Sequence, residues 1–304
     1  MRFAVIGAGA VGGFFGAQLA RAGHDVSFVA RGATLAALRQ TGLTTIVDGQ
    51  RTTVDVTATD DAADIGQVDH VICAVKAMQV IEALESSGAL IGSNTGVVTT
   101  QNGVDGPRLT ASVVGREHTL PGVVKAYVAT RSPAVIEFRG GDGSLAVAEW
   151  SNEPTERVHA LREALVGAGI SSPVPDDIWQ ALWSKSMFIV PSGGLGALTG
   201  LPLGELLSRQ GLRRELIDAI TEVRDVAVAR GVDMPYGIVA DTIALNEAQP
   251  ASSTTSMQRD IMSGRPSELD PQLGAIVRYG REAEVPTPLL ELMYEVLKLR
   301  RGER

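Results

Sequence analysis

The sequence predicts an α/β protein with an N-terminal doubly wound parallel sheet and a C-terminal all-α domain. Short β-prone runs alternate with helical patterns early in the chain, and a glycine-rich turn joins the first strand to the first helix. Beyond Asp176 the strand signal fades and apolar positions spaced three and four apart take over. With 304 residues, 44% of them hydrophobic and 20% charged, the chain is long enough for two domains and can bury a large core. The boundary is expected at 172/173, giving a nucleotide-type domain over residues 1–172 and a helical domain over 173–304.

Taken in order, residues 3–6 form the first strand, followed by Gly7-Ala8-Gly9-Ala10-Val11-Gly12. Phe14, Phe15, Leu19 and Ala20 then recur at helical spacing up to Gly23. Strands are expected at 25–30, 68–75 and 96–100, with a helix over 77–90, an alternation that belongs to parallel sheets. Residues 44–59 and 123–150 alternate polar and β-branched positions and are expected as hairpins or edge strands, the run 139–143 supplying a turn. A helix over 154–167 closes the first domain. In the second, Asp176-Asp177 can cap a helix carrying Ile178, Leu182 and Met187, which Pro191 is expected to interrupt. Further helices are expected over 206–230, from about Met257 after the polar connector 251–256, and over 288–299.

Composition removes several function classes. Thirty-five acidic residues against 27 basic ones give a net charge of −8, which disfavours wrapping a polyanion, so no nucleic-acid partner is expected. The single cysteine, Cys73, precludes an intrachain disulfide and reads as a buried small hydrophobe, and His24, His70, His118 and His159 lack paired spacing, so no metal site is expected. Neither a signal peptide nor an apolar run of membrane-spanning length is present, and a cytoplasmic location with no membrane partner is the expectation.

The chemistry begins at the glycine turn. Gly7, Gly9 and Gly12 form G-x-G-x-x-G directly after a strand and opening a helix, the context in which this pattern binds dinucleotides in Rossmann-type domains. Gly7 permits the tight turn, Gly9 lets the backbone approach a pyrophosphate, and Gly12 allows close helix–strand packing, while the helix N-terminus offers N–H donors. NAD-selective versions carry an acid at the end of the second strand; here Ala30 and Arg31 stand there. A guanidinium suits a 2′-phosphate, so NADPH/NADP+ is the expected cofactor.

With Gly7–Gly12 and Arg31, the ordered blocks Ala74-Val-Lys-Ala-Met-Gln79, Gln101-Asn-Gly103, Trp183-Ser-Lys185, Ser256-Met257, Asp260-Ile261, Ser267-Glu268 and Val285-Pro-Thr-Pro288 make the whole chain resemble the ketopantoate reductases (2-dehydropantoate 2-reductases). The resemblance implies hydride transfer from NADPH to C2 of a 2-oxo acid, with Lys185 as the catalytic lysine that protonates the developing alkoxide. An ammonium suits that task because it stabilises the incipient charge and then donates a proton. The resemblance further implies cofactor contacts from Gly7, Ala8, Gly9, Ala10, Val11, Gly12, Arg31, Lys76, Asn102 and Glu268. Lys76, Asn102, Lys185, Ile189, Ser253 and Ser256 are implied at the substrate, and a homodimer through the helical domain is among the expectations.

The departures bear on specificity. The family carries asparagines four and eight residues past the catalytic lysine and three before the matched serine; these positions are Ile189, Gly193 and Ser253 here. Loss of such donors weakens discrimination in favour of a hydroxylated substrate. Three readings therefore stay open: reduction of 2-dehydropantoate to (R)-pantoate, reduction of a more apolar 2-oxo acid, or NADP binding by a regulator without catalysis.

Overall fold

The computed structural model describes residues 1–300. Residues 301–304, the end of the expected second domain, lie outside the described residues. Two compact units are present, one of residues 1–101 and 106–178, the other of residues 102–105 with the chain from residue 179 onward.

The first unit runs β1 (Arg2–Ile6), α1 (Ala10–Arg21), β2 (Asp25–Val29), α2 (Gly32–Thr41), β3 (Leu43–Val47), β4 (Gln50–Val54), β5 (Thr57–Thr59), β6 (His70–Cys73), α3 (Val80–Glu85), β7 (Gly96–Thr99), α4 (Gly106–Val114), β8 (Thr119–Leu120), β9 (Gly122–Ser132), β10 (Val135–Val147) and α5 (Glu156–Gly167). Six strands make one parallel sheet in the order β5-β2-β1-β6-β7-β8. Successive side chains of a strand point to opposite faces, so Phe3 and Val5 enter one apolar cluster while Ala4 and Ile6 enter another. A sheet covered on both faces needs near-continuous apolar strands, which is why residues 3–6 carry no polar alternation. Strand order reverses between β1 and β6, and the loops at their C-terminal ends form the switch point where such sheets place ligands.

The regions expected as hairpins or edge strands separate. β5 does edge the six-stranded sheet, but β3–β4 and β9–β10 are antiparallel hairpins joined through a short parallel β3–β10 contact into a sheet of their own, ordered β4-β3-β10-β9. α1 lies between the two sheets. A Cβ on Gly16 would come within 2.4 Å of Phe28 of the first sheet, and one on Gly13 within 2.7 Å of Ile136 of the second. The glycines of α1 are weak helix formers that admit close packing on two sides.

Several local expectations are corrected. The run 139–143 does not turn the chain: it lies inside β10, where Gly140, Gly141 and Gly143 take positive φ at register shifts against β9. Glycine there relieves bulges, and the hairpin closes instead at Pro133-Ala134, with Ala134 at φ 58°. The helix expected over 77–90 is confined to Val80–Glu85, flanked by 3₁₀ turns at Ala77–Gln79 and Gly88–Leu90.

The second unit is built by α6 (Ile178–Thr199), α7 (Leu203–Ser208), α8 (Gln210–Ala229), α9 (Ile238–Glu247), α10 (Ser256–Met262), a π-helical turn at Asp270–Gly274, α11 (Ala275–Glu282) and α12 (Pro288–Arg300) around one core that includes Val190, Leu216, Ile220, Val223, Leu273, Ile276 and Leu290. The helix expected over 206–230 is split, Arg209 standing extended between α7 and α8. α6 departs most from expectation, because it passes through Pro191 unbroken. Interior proline costs about 3 kcal/mol, yet residues 190–197 are buried all around and their packing outweighs that loss. The Ile178 N–H at its start donates to Asn152 Oδ1 at 2.8 Å. Glu222 does the same for α12, its carboxylate accepting from the N–H groups of Leu289 and Leu290 at 2.9 Å each. Among the described residues, no helix is long and apolar enough to cross a membrane.

Candidate active site

In the first unit the glycine turn follows β1 as the motif requires. Gly7 has φ 95°, and a Cβ there would meet Val75 Cγ1 at 2.9 Å, so both the backbone and the neighbouring β6 loop demand glycine. A Cβ on Gly12 would lie 2.1 Å from the Gly7 carbonyl oxygen and 2.9 Å from Ala74 Cβ, which fixes α1 tightly on the sheet. Gly9 is the opposite case, with no atom within 4 Å of where its Cβ would stand. Gly9 caps α1 without a side-chain hydrogen bond, and no acidic residue occupies the first helical turn. Open space, uncapped N–H groups and the positive end of a helix together fit the pyrophosphate of a dinucleotide.

Arg31 caps α2 just past β2. Its exposed guanidinium meets the exposed carboxylate of Glu82 on α3 at 3.4 Å, a solvated pair that a phosphate can displace at little cost. Lys76 follows β6 half-buried, at the head of the Ala77–Gln79 turn. Beside it, Gln101 performs a task the sequence did not show. Its Nε2 donates to the carbonyls of Cys73 at 2.8 Å and Val75 at 3.0 Å, tying the end of β7 to the Lys76 loop. Cys73 is fully buried, and burial pushes its thiol up to about 12, which leaves it unreactive.

The remaining candidates belong to the second unit, including Asn102, which follows Gln101 in the chain but is held among the helices. Gly103, at φ 90°, backs onto Pro271 and Gln272, a Cβ there lying 3.1 Å from the Pro271 oxygen. Gln272 is buried, and its Nε2 donates to Glu268 Oε2 at 3.3 Å. The strand of chain bearing Asn102 thus runs beside the segment bearing Glu268. Lys185 sits half-buried on α6, with Trp183 two residues earlier sunk in the core. Ile189, one turn further along, is half-buried against the same core.

The connector 251–256 meets α6 at Gly193: a Cβ there would stand 2.6 Å from Thr255 Oγ1 and 3.1 Å from Met257 Cε. Thr255 caps α10, its hydroxyl accepting from the Gln258 N–H at 3.1 Å. Ser256 begins that helix exposed, and half-buried Ser253 accepts the Leu203 N–H on its carbonyl. Space that a longer residue at position 193 would need is therefore filled by Thr255. Among the described residues, no three of His, Cys, Asp and Glu converge in a way that could hold a metal ion.

Comparison with known proteins gives the family. The family model described as ketopantoate reductase PanE/ApbA matches residues 3–152, and its C-terminal companion matches residues 177–301. A 2-dehydropantoate 2-reductase of Mesorhizobium japonicum is 33% identical over 325 aligned positions, covering 100% of this chain and 99% of that one. The crystal structure of a PanE/ApbA family ketopantoate reductase from Ralstonia eutropha superposes with a TM-score of 0.91 at 29% identity, covering 100% and 99% of the two chains. D-mandelate dehydrogenase in a ternary structure with NADH and anilino(oxo)acetate shares the fold, at a TM-score of 0.90, 23% identity and 99% coverage of each chain. The glycine cradle and the family together call for a nicotinamide cofactor and a small-molecule substrate. The chain belongs to the ketopantoate reductase family, oxidoreductases acting on a CH–OH/C=O group.

Proposed function

We propose that this protein is an NADPH-dependent 2-oxo acid reductase whose substrate is 2-dehydropantoate and whose product is (R)-pantoate, a cytoplasmic step toward pantothenate. The observation that carries the reading is the joint presence, within one helical unit, of Lys185, Asn102 and Glu268 in a chain whose residues 3–152 and 177–301 match the family. Arg31, standing where NAD-selective domains carry an acid, supports NADPH over NADH by pairing with the 2′-phosphate.

When bound, the reduced nicotinamide supplies the hydride that adds to the carbonyl carbon. Lys185 holds the carbonyl oxygen through its ammonium, opposes the negative charge that develops there, and donates the proton that completes the alcohol. Asn102 orients the reactants by hydrogen bonding, and Lys76 attracts the substrate carboxylate. Glu268, beside Gln272, engages the cofactor or the ammonium of Lys185. The first unit supplies the glycine turn and Arg31 to the cofactor and Lys76 to the substrate, and the second supplies Lys185, Asn102 and Glu268 and a surface for homodimer formation.

A second reading has its own support. Ile189 is apolar, and Gly193 is buried beneath Thr255 and Met257, so the two α6 positions one and two turns past Lys185 offer no side-chain donor to a substrate hydroxyl. That arrangement suits a 2-oxo acid with an apolar tail. Reduced-nicotinamide consumption measured with 2-dehydropantoate beside branched and aromatic 2-oxo acids, each with NADPH and NADH, decides between them. The first reading predicts the highest kcat/KM for 2-dehydropantoate with NADPH. Preference for an apolar acid would establish the second, and dinucleotide binding with no turnover would defeat both.

A further inference from the structure

Asn102 lies in a stretch without regular structure, and something must fix its backbone if its side chain is to orient a substrate. The residues that do so can be traced. Val104 is buried in the same apolar core as Trp183 and Met187 of α6. Asp105, only 3% exposed, accepts a hydrogen bond on Oδ1 from the hydroxyl of Tyr279 on α11 at 2.6 Å, and its Oδ2 faces the guanidinium of Arg278 at 3.7 Å. Tyr279 is clamped in turn. The guanidinium of Arg230 lies 3.9 Å from its ring centroid, and the Trp183 ring stands 6.3 Å away, two residues before Lys185. Arg278 also binds Asp270 Oδ1 at 2.7 Å, and Asp270, two residues beyond Glu268, accepts from the Tyr294 hydroxyl. Asp105 and Tyr279 therefore stand where the chains bearing Asn102, Lys185 and Glu268 converge.

We infer that Asp105 and Tyr279 form a positioning pair, the buried carboxylate and the phenol hydroxyl together holding Asn102 in register with α6 and with the segment of Glu268. The inference rests on the reductase reading above and adds residues that touch neither substrate nor cofactor. A buried carboxylate needs partners, and here it has both a hydroxyl donor and a cation, so its position is fixed far more closely than a loop residue's would otherwise be. Gly103 lets the backbone pass against Pro271 between the anchored Asp105 and the working Asn102.

The test is a mutant cycle on the full-length protein. Tyr279→Phe removes one oxygen while leaving the ring against Arg230 and Trp183; Asp105→Ala removes the carboxylate, and Asp105→Asn keeps an acceptor. Each of the first two is expected to lower kcat for the 2-oxo acid roughly 10- to 100-fold with a smaller change in substrate KM, and Asp105→Asn to recover a large part of the loss. NADPH affinity, read by fluorescence titration, should fall far less than kcat, because the Gly9 turn and Arg31 are untouched and only the contacts of Asn102 and Glu268 are disturbed. The decisive readout is non-additivity: in an Asn102→Ala background, Tyr279→Phe should cost almost nothing further. Multiplicative losses, or equal losses in NADPH affinity and turnover, would overturn the positioning role while leaving the reductase reading intact. Should Asp105→Ala fail to fold by circular dichroism, Tyr279→Phe carries the same test. Full activity in both Asn102→Ala and Lys185→Ala would overturn the reductase reading, and the positioning pair with it.

Discussion

Gly9, the N-cap of α1, and Gly12, in its first turn, stand three residues apart and do different work. Nothing lies within 4 Å of a Cβ at Gly9, whose φ of −78° suits any residue, whereas a Cβ at Gly12 would collide with the Gly7 carbonyl oxygen. Gly9→Ala should therefore melt with the unsubstituted protein yet bind NADPH at least about tenfold more weakly, since the methyl group enters the space of the pyrophosphate. Gly12→Ala should lose roughly 1–3 kcal/mol of stability, or fail to fold, because backbone and Ala74 cannot both give way. Thermal denaturation beside dinucleotide titration separates the two. At this scale the strand–turn–helix context of the motif was legible in the sequence, and Gly7 and Gly12 have steric reasons to be there, whereas Gly9 leaves open space. Gln101, Asp105 and Tyr279 were not legible as supports. Their roles depend on partners far along the chain, Tyr279 being 174 positions from Asp105, and spacing carries no trace of such pairs.

At the scale of elements, α6 shows where local rules yield to packing. Pro191 and the glycines that follow it, up to Gly194, read as a helix stop, but the glycines of this stretch are the points at which neighbours approach: Thr255 at Gly193, Leu273 and Met293 at Gly194, and Gln258 further on at Gly196. Tertiary burial supplied the stabilisation that propensity denied. The same pressure explains β10, whose glycine-rich run relieves bulges where a turn was expected. Gly193→Asn should drive into Thr255 and disturb the cap of α10, costing roughly 1–3 kcal/mol by urea denaturation. Combining it with Thr255→Ala opens the space, and part of that loss should return. Additive losses in the double variant would show that position 193 and Thr255 do not compete for one volume.

For the molecule as a whole, acid stability is expected to depend on His70 and Glu149 in the first unit. His70 is 1% exposed at the start of β6, and burial above all pushes its imidazole down to about 4 from 6.5. The unfolded chain takes up that proton near pH 6.5 and the folded one only near 4, so stability falls as pH drops through this window, by at most roughly 3 kcal/mol. Glu149 acts in the same sense. Burial raises its carboxyl, but hydrogen bonds from Arg157 and Thr155 outweigh burial and hold it low, so its contribution is lost on further acidification. His70→Leu should flatten the decline in urea midpoint between about pH 6.5 and pH 4.5 by close to one proton; an unchanged slope would mean that other groups govern it. The parallel sheet and helical second half were legible from strand–helix alternation and from the change in periodicity after Asp176. The separate four-stranded sheet was not, because the β3–β10 pairing joins hairpins some ninety positions apart. The proposed reaction turns on Lys185 as the proton donor. Its most direct test is the turnover of Lys185→Ala set against its NADPH affinity. A proton-donating Lys185 predicts a fall in kcat of about 10²- to 10⁴-fold with nearly unchanged dinucleotide binding; turnover within a few fold of the unsubstituted protein would contradict that role.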